Sequence, residues 1–153
     1  MVEGDKVVVI NRKARHDYEI SETCEAGIVL TGPEVKSARN GHVSLKESYA
    51  RIVANEAFIL GMHIAPYTQA GSENLEPTRP RKLLLKRGEI RRLTGKTQER
   101  GFTLVPLKFY FTRGLAKVLL GLGRGRAIHD KRNVIAERDV RRDIDRAIKE
   151  SKR

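Results

Sequence analysis

Two short runs carry side chains able to bind phosphate: Asn11-Arg12-Lys13-Ala14-Arg15-His16, a basic hexapeptide between two apolar segments, and Arg79-Pro80-Arg81-Lys82, at the end of a long polar connection. Either run alone reads as a charged turn. Taken with Lys36, Lys108, Lys117 and Arg124, they can form one phosphate-tracking surface around the mouth of a barrel. Other groups that might do chemistry lack companions at a useful spacing. The histidines are His16, His42, His63 and His129, and no two are spaced to hold a metal from one helix face. Gly95-Lys96-Thr97 resembles the end of a phosphate-binding loop, but the glycine required five places earlier is Ile90. Gly121-x-Gly123-x-Gly125 has the wrong interval for a dinucleotide loop and reads as a hinge before a polar tail. No nucleophile elbow surrounds any serine. His16 and Glu25 are the only candidates for general acid or base, and neither has a recognisable partner. Binding is expected; catalysis, a metal site and a cofactor are not.

The charge is segregated. From Pro77 to Gly125 the chain has thirteen Lys and Arg and two acidic residues, Glu89 and Glu99, a net of +11 out of +12 for all 153 residues. A solvated face kept for solubility usually mixes both signs. A field this concentrated instead captures phosphate-bearing ligands. With no Trp, four Phe and four Tyr, a surface built on base stacking is disfavoured. The single cysteine, Cys24, excludes an internal disulfide and fits a reducing compartment. No apolar run approaches the roughly 20 residues that span a bilayer, and the first residues lack the order of a signal peptide. A soluble, cytoplasmic protein is expected.

The positioning elements are mostly strands. Period-two alternation predicts them over Glu25–Leu30, Tyr49–Val53, Ala57–Ile64, Thr103–Phe111 and Leu115–Leu122. Ala54-Asn55 and Thr112-Arg113-Gly114 connect their neighbours at hairpin length. Leu107, Phe109 and Phe111 are expected to face the core, with Lys108 and Lys117 on the other face, and Pro106 belongs at an edge or a bulge. Thr31-Gly32-Pro33-Glu34 opens a short helical turn that Gly41 can close. Gly88 to Arg100 is expected to be helical, with Leu83-Leu84-Leu85 able to start that helix early, and Tyr67 to Pro80 is read as a mobile loop. These signals describe a small antiparallel barrel of the oligonucleotide-binding kind, or a split sandwich. Beyond Gly125 the chain is mostly charged, with Ala136, Val140, Ile144 and Ile148 forming one narrow apolar stripe, and this tail is expected to be disordered until something docks it.

Read in order, Asn11-Arg12-Lys13-Ala14-Arg15-His16-Asp17-Tyr18, Glu25-Ala26-Gly27-Ile28-Val29-Leu30, Glu34-Val35-Lys36-Ser37, Pro77 to Leu85, Gly101 to Leu107 and Asp130-Lys131-Arg132 closely resemble the bacterial SsrA-binding protein (small protein B) family. The resemblance runs from Val8 to the final basic residues. Two places depart from its pattern: Ala38 stands for a more usual leucine, and Arg126-Ala127-Ile128 for a more basic stretch. The resemblance implies a mainly β fold: a six-stranded antiparallel, oligonucleotide-binding-like barrel with about three short helices over residues 1–125, of which 1–6 are expected to be flexible. It implies a basic tail over 126–153, unstructured in free solution and helical on the ribosome.

By the same resemblance the function is to bind the tRNA-like domain of transfer-messenger RNA and accompany it, with elongation factor Tu and GTP, to stalled 70S ribosomes. No catalysis by the protein is implied. Asn11, Glu25 and Leu84 match positions that hold RNA in the family, and Arg12, Arg15, His16 and Lys82 are added here from charge and proximity. In the tail, Lys131, Arg132, Arg138, Arg141, Arg142 and Arg146 are implied to neutralise ribosomal phosphates beside Asp130, and His129 to stack on a decoding-centre base. A monomer is expected, without a membrane. The alternative reading is a nonspecific single-strand-binding barrel, which would use stacked aromatics, chiefly Tyr110; an RNA-processing enzyme falls behind both.

Overall fold

The computed structural model describes residues 5–125 and 143–149. Of the tail residues singled out above, Arg146 lies within that range; His129, Asp130, Lys131, Arg132, Arg138, Arg141 and Arg142 lie outside the described residues.

The elements run β1 (Lys6–Ile10), α1 (Arg12–Asp17), β2 (Tyr18–Ile28), α2 (Gly32–Arg39), β3 (Val43–Ser44), β4 (Tyr49–Val53), β5 (Glu56–Leu60), β6 (His63–Ile64), a 3-10 segment (Thr68–Glu73), β7 (Arg81–Leu84), α3 (Arg87–Gln98), β8 (Phe102–Thr112) and β9 (Leu115–Gly125). Residues 143–149 form one more helical stretch, α4. Six strands close into an antiparallel ring, β8-β4-β5-β7-β2-β9 and back to β8. Closure leaves those strands no free edges along their pairings, and it wraps one core. Ala26, Ile28, Ile59, Leu83, Leu104, Phe109, Val118 and Leu120 point inward from five strands, and Leu93 of α3 and Ala38 of α2 plug the interior. Both hairpin turns have the geometry that the twist of paired strands favours: Ala54 and Asn55, then Arg113 and Gly114, all have positive φ.

Several expectations are corrected by packing. Lys6, assigned to a flexible terminus, starts β1 opposite Phe111, because the apolar run behind it adds a strand beside β8. Leu83-Leu84-Leu85 does not begin a helix: β7 runs through Leu84, since the ring needs a strand between β5 and β2. The strand expected over Ala57–Ile64 is broken at Gly61, whose φ is 75° and where a Cβ would lie 2.9 Å from the Glu47 carbonyl oxygen. The stretch read as a hinge, Gly121 to Gly125, is the end of β9, paired with both β2 and β8. The register shifts between Pro106 and Lys108, as proline in a strand demands, and this puts Leu107 outside the ring with Val105 while Phe109 and Phe111 stay inside.

The tail, expected to be unstructured in the free protein, has one described part, and that part is docked. Ile144 of α4 is fully buried against Phe58 and Leu60 on the outer wall of β5, flanked by Tyr49, Val53, Ala147 and Ile148. Part of the apolar stripe thus finds its partner in the chain's own ring. Burying one isoleucine contributes about 1.5–3 kcal/mol, enough to hold a helix too short to persist alone.

The long connection before β7 is also ordered. Asn74 accepts a hydrogen bond from the Tyr67 amide at 2.9 Å and donates to the Tyr67 carbonyl at 2.8 Å. Its far end is held by charge. The Arg81 guanidinium, fully buried, donates to Glu34 Oε2 at 2.7 Å, to the Met62 carbonyl at 2.7 Å and to the Pro77 carbonyl at 2.8 Å. Arg79 adds a bond to Glu34 Oε1 at 2.5 Å. Burial alone would raise the Glu34 carboxyl, but the bonds from Arg79 and the Thr31 amide and the charges of Arg81 and Arg79 outweigh it and hold the carboxyl below its ordinary value.

A folded value below the unfolded one means that this stabilisation is present above the unfolded carboxylate range and is lost as pH falls through the folded value. Glu34→Gln leaves Arg81 buried without its counter-charge. We expect a loss of about 3–5 kcal/mol near neutrality and a flatter acid limb in chemical denaturation followed against pH, whereas an unchanged midpoint and acid limb would show the cluster to be unimportant.

Candidate nucleic-acid interface

Ring closure sets which residues share the outer wall. Register places Leu84 of β7 opposite Gly27 of β2, Gly27 opposite Lys117 of β9, and Lys117 opposite Tyr110 of β8, so four strands contribute one transverse row. The neighbouring row contains Glu25, Leu119, Lys108 and Ile10. Alternation makes these side chains outward-facing, since Ala26, Val118 and Phe109 between them are buried in the core. Leu84 and Ile10 are about half exposed, at 54% and 53%. At Gly27 a Cβ would lie 3.3 Å from that of Leu84, so glycine keeps the row shallow between the leucine and the lysine.

Below these rows the wall is covered by α1. Ala14 of α1 packs there with Tyr18 and Ile20 of β2, Val105 and Leu107 of β8 and Leu119 of β9, and glycine in β9 makes room for two of those strand side chains: a Cβ on Gly121 would lie 2.9 Å from Leu107 Cδ1, and one on Gly123 2.9 Å from Ile20 Cδ1. The expected charged turn is therefore a short helix capped by Asn11. The Asn11 side chain accepts from the Ala14 amide at 3.2 Å and donates to the carbonyls of Pro106 at 2.9 Å and Leu45 at 3.3 Å. Asn11 is buried, with its amide engaged by the fold, whereas Arg12, Lys13, Arg15 and His16 are exposed on the helix. An asparagine ahead of a run containing only one apolar side chain is a cap signal that hydrophobic periodicity alone passes over.

The remaining candidates are spread around the ring. Lys82 faces outward two residues before Leu84, 3.7 Å from Glu56, beside a cleft of about 370 Å³ that Val29, Arg79 and Arg146 also line. Arg124 has the opposite parity to Lys117; it sits at the end of β9 with its guanidinium 4.6 Å from the Phe102 ring centre. Lys36 lies on α2, 5.6 Å from the centre of the Tyr67 ring. The rows and α1 thus bring together Arg12, Arg15, His16, Glu25, Leu84, Lys108 and Lys117, with Lys82 next to them. Lys36 and Arg124 belong to other parts of the surface.

Sequence reading missed one pairing on this wall. The Tyr110 hydroxyl donates to Glu25 Oε2 across the intervening β9, and Lys108 Nζ covers the ring at 5.0 Å. Burial first, then the hydrogen bond to Glu25 and the charges of Glu25 and Asp5, push the phenol well above its ordinary value, so it remains a donor throughout the neutral range. Tyr110 is 3% exposed and offers no stacking platform. Among the described residues, no group of His, Cys, Asp and Glu is arranged to hold a metal ion, and no helix is long and apolar enough to cross a membrane.

Comparison with known proteins shows the family of the chain. The family model described as SmpB protein matches residues 8–150. The chain belongs to the SmpB protein family. It is 56% identical over 151 residues to the SsrA-binding protein of Ruminiclostridium cellulolyticum, covering 99% of this chain and 98% of the relative. With the SsrA-binding protein of Chloroflexus aurantiacus it shares 58% identity over 147 residues, covering 95% and 92%. A chain from the solved structure "tmRNA-SmpB: a journey to the center of the bacterial ribosome" superposes with a TM-score of 0.67 at 54% identity, covering 80% of this chain and 87% of that one.

The two kinds of residue at α1 should separate experimentally. Asn11→Ala removes the acceptor for the Ala14 amide and a donor to the buried Pro106 carbonyl, so thermal or urea denaturation should show a loss of about 1–3 kcal/mol. Arg12→Ala and Arg15→Ala should leave the denaturation midpoint in place, weaken RNA binding, and each lower the slope of log affinity against log salt by roughly one. A stability loss in the arginine variants, with no change in binding, would contradict this division of labour.

Proposed function

We propose that this chain binds the tRNA-like domain of transfer-messenger RNA and delivers it to stalled ribosomes for trans-translation. Its similarity to SsrA-binding proteins along nearly the whole chain supports that reading. The observation that carries it into chemistry is the pair of outer rows beside α1. Cations there can track phosphates, Leu84 supplies an exposed apolar contact, and Glu25 can accept from a base amine or a ribose hydroxyl, a mixture suited to a folded RNA. RNA contacts are assigned to Arg12, Arg15, His16, Glu25, Lys82, Leu84, Lys108 and Lys117, with Asn11 fixing the helix that presents the first three. Lys36 and Arg124 are left to phosphates further along the RNA. A nonspecific single-strand binder is less well supported, because Tyr110, the aromatic it would stack bases on, lies under Lys108.

The protein acts as a monomer in the cytoplasm, without catalysing a reaction, and meets elongation factor Tu and GTP through the RNA complex. Residues 126–153 form the part that senses an empty messenger channel. Lys131, Arg132, Arg138, Arg141, Arg142 and Arg146 meet ribosomal phosphates only where the channel is free, so an occupied channel offers the tail no contacts to offset the entropy of ordering it there. His129 and Asp130 sit at the start of that segment. Since α4 rests on β5, occupation of the channel by the whole tail requires α4 to leave the ring.

Transfer-messenger RNA should bind much more tightly than unstructured RNA of equal length in a filter or fluorescence assay, with affinity falling as salt rises. Removal of 126–153 should leave that affinity nearly intact and abolish tagging of stalled peptides in a reconstituted translation system. Equal affinity for both RNAs, or normal tagging by the truncated chain, would overturn the corresponding half of the proposal.

A further inference from the structure

A carboxylate on a surface that binds phosphates is an electrostatic cost unless its orientation is useful. Glu25 is exposed, and it stands in the row that also carries Lys108. Its Oε2 accepts from Tyr110, and its Oε1 has no hydrogen-bond partner among the described residues. Tyr110 cannot itself touch RNA in this arrangement: it is 3% exposed, and the ammonium of Lys108 lies over its ring. A buried phenol ordinarily finds a hydrogen-bond partner, and the one taken here is a carboxylate whose other oxygen faces outward from the wall. Here it crosses β9 to reach a side chain two strands away.

We infer that Tyr110 is a positioning residue for RNA recognition, holding the Glu25 carboxylate in one rotamer so that its free oxygen points at a neutral hydrogen-bond donor of the RNA. This rests on the reading of Glu25 as an RNA contact. A free glutamate samples several rotamers and would lose that freedom on binding; a glutamate already fixed by a buried phenol loses less. The same bond withdraws part of the negative charge from the side that phosphates approach. Lys108 then has two tasks, supplying positive charge to the face and closing the ring of Tyr110 off from bases. The ligand is a base amine or ribose hydroxyl, because a phosphate oxygen offers the carboxylate no donor.

The test compares the full-length wild type with Tyr110→Phe, Glu25→Ala and the double variant, each titrated with the tRNA-like domain of transfer-messenger RNA at several salt concentrations. Tyr110→Phe keeps the ring and removes the hydroxyl. It should weaken binding about three- to tenfold with the salt slope unchanged, since no phosphate contact is lost. Glu25→Ala should weaken it about tenfold or more, and the double variant should match Glu25→Ala alone.

The inference is overturned if Tyr110→Phe binds like wild type while Glu25→Ala is impaired, or if the hydroxyl's effect persists in full in the Glu25→Ala background. Wild-type affinity of Glu25→Ala would remove the underlying RNA contact and the inference with it. Chemical denaturation of Tyr110→Phe guards against a folding defect, and an unchanged salt slope separates positioning from a general loosening of the face.

Discussion

A guanidinium with no exposure to water holds the head of β7 in place, and the proposed RNA face depends on where β7 begins. Arg81 joins Glu34 on α2, the carbonyl of Met62 between β5 and β6, and the carbonyl of Pro77 in the long connection. Those contacts tie three separate segments to the first residue of the strand that carries Lys82 and Leu84. Well-packed apolar groups can replace a buried ion pair at little cost in stability, but a displaced β7 would move Leu84 away from Gly27. The charge of Arg81 therefore belongs to the scaffold and is unavailable to RNA, although the sequence presents it within a basic tetrapeptide.

Charge brings the RNA near, and the shape of the wall decides what is held. The segment from Pro77 to Gly125 carries most of the net positive charge, yet ring closure distributes those residues over the wall, the core and α3. Only the outward parity of β8 and β9 leaves Lys108 and Lys117 beside Glu25. Glycines complete the surface by omission: Gly27 keeps the row low, and Gly121 and Gly123 leave room on β9 for Leu107 and Ile20, which pack in the cluster that Ala14 of α1 joins. On the proposed reading, affinity through phosphates and selectivity through Glu25 and Leu84 come from different atoms of one face.

The ring and its hairpins were largely legible in the sequence because alternation and turn chemistry are local signals. Tyr49–Val53 was bounded as read, and the proline at 106 announced its bulge. What lay hidden was set by distant partners. The Leu83–Leu85 triplet is apolar in any conformation, and only pairing with β5 and β2 makes it strand. The glycines of β9 look like a hinge until Leu107 of β8 and Ile20 of β2 are seen to fill the room above them. Asn11 was legible as a candidate contact, but its engagement with the carbonyls of Leu45 and Pro106 joins residues far apart in the chain. Tyr110 and Glu25 are separated by 85 positions, and nothing local links them.

The central claim is that one wall of the ring, from β7 through β2 and β9 to β8, together with α1, is where RNA binds. Backbone and methyl resonances of the full chain, followed while the tRNA-like domain is added, locate that wall directly. The account predicts that the largest shifts gather at Leu84, Gly27, Lys117, Lys108 and residues 12–16, with β4 and the far end of α3 quiet. Shifts centred on α3 or on the β4–β5 hairpin, with the Leu84 methyls unmoved, would contradict it.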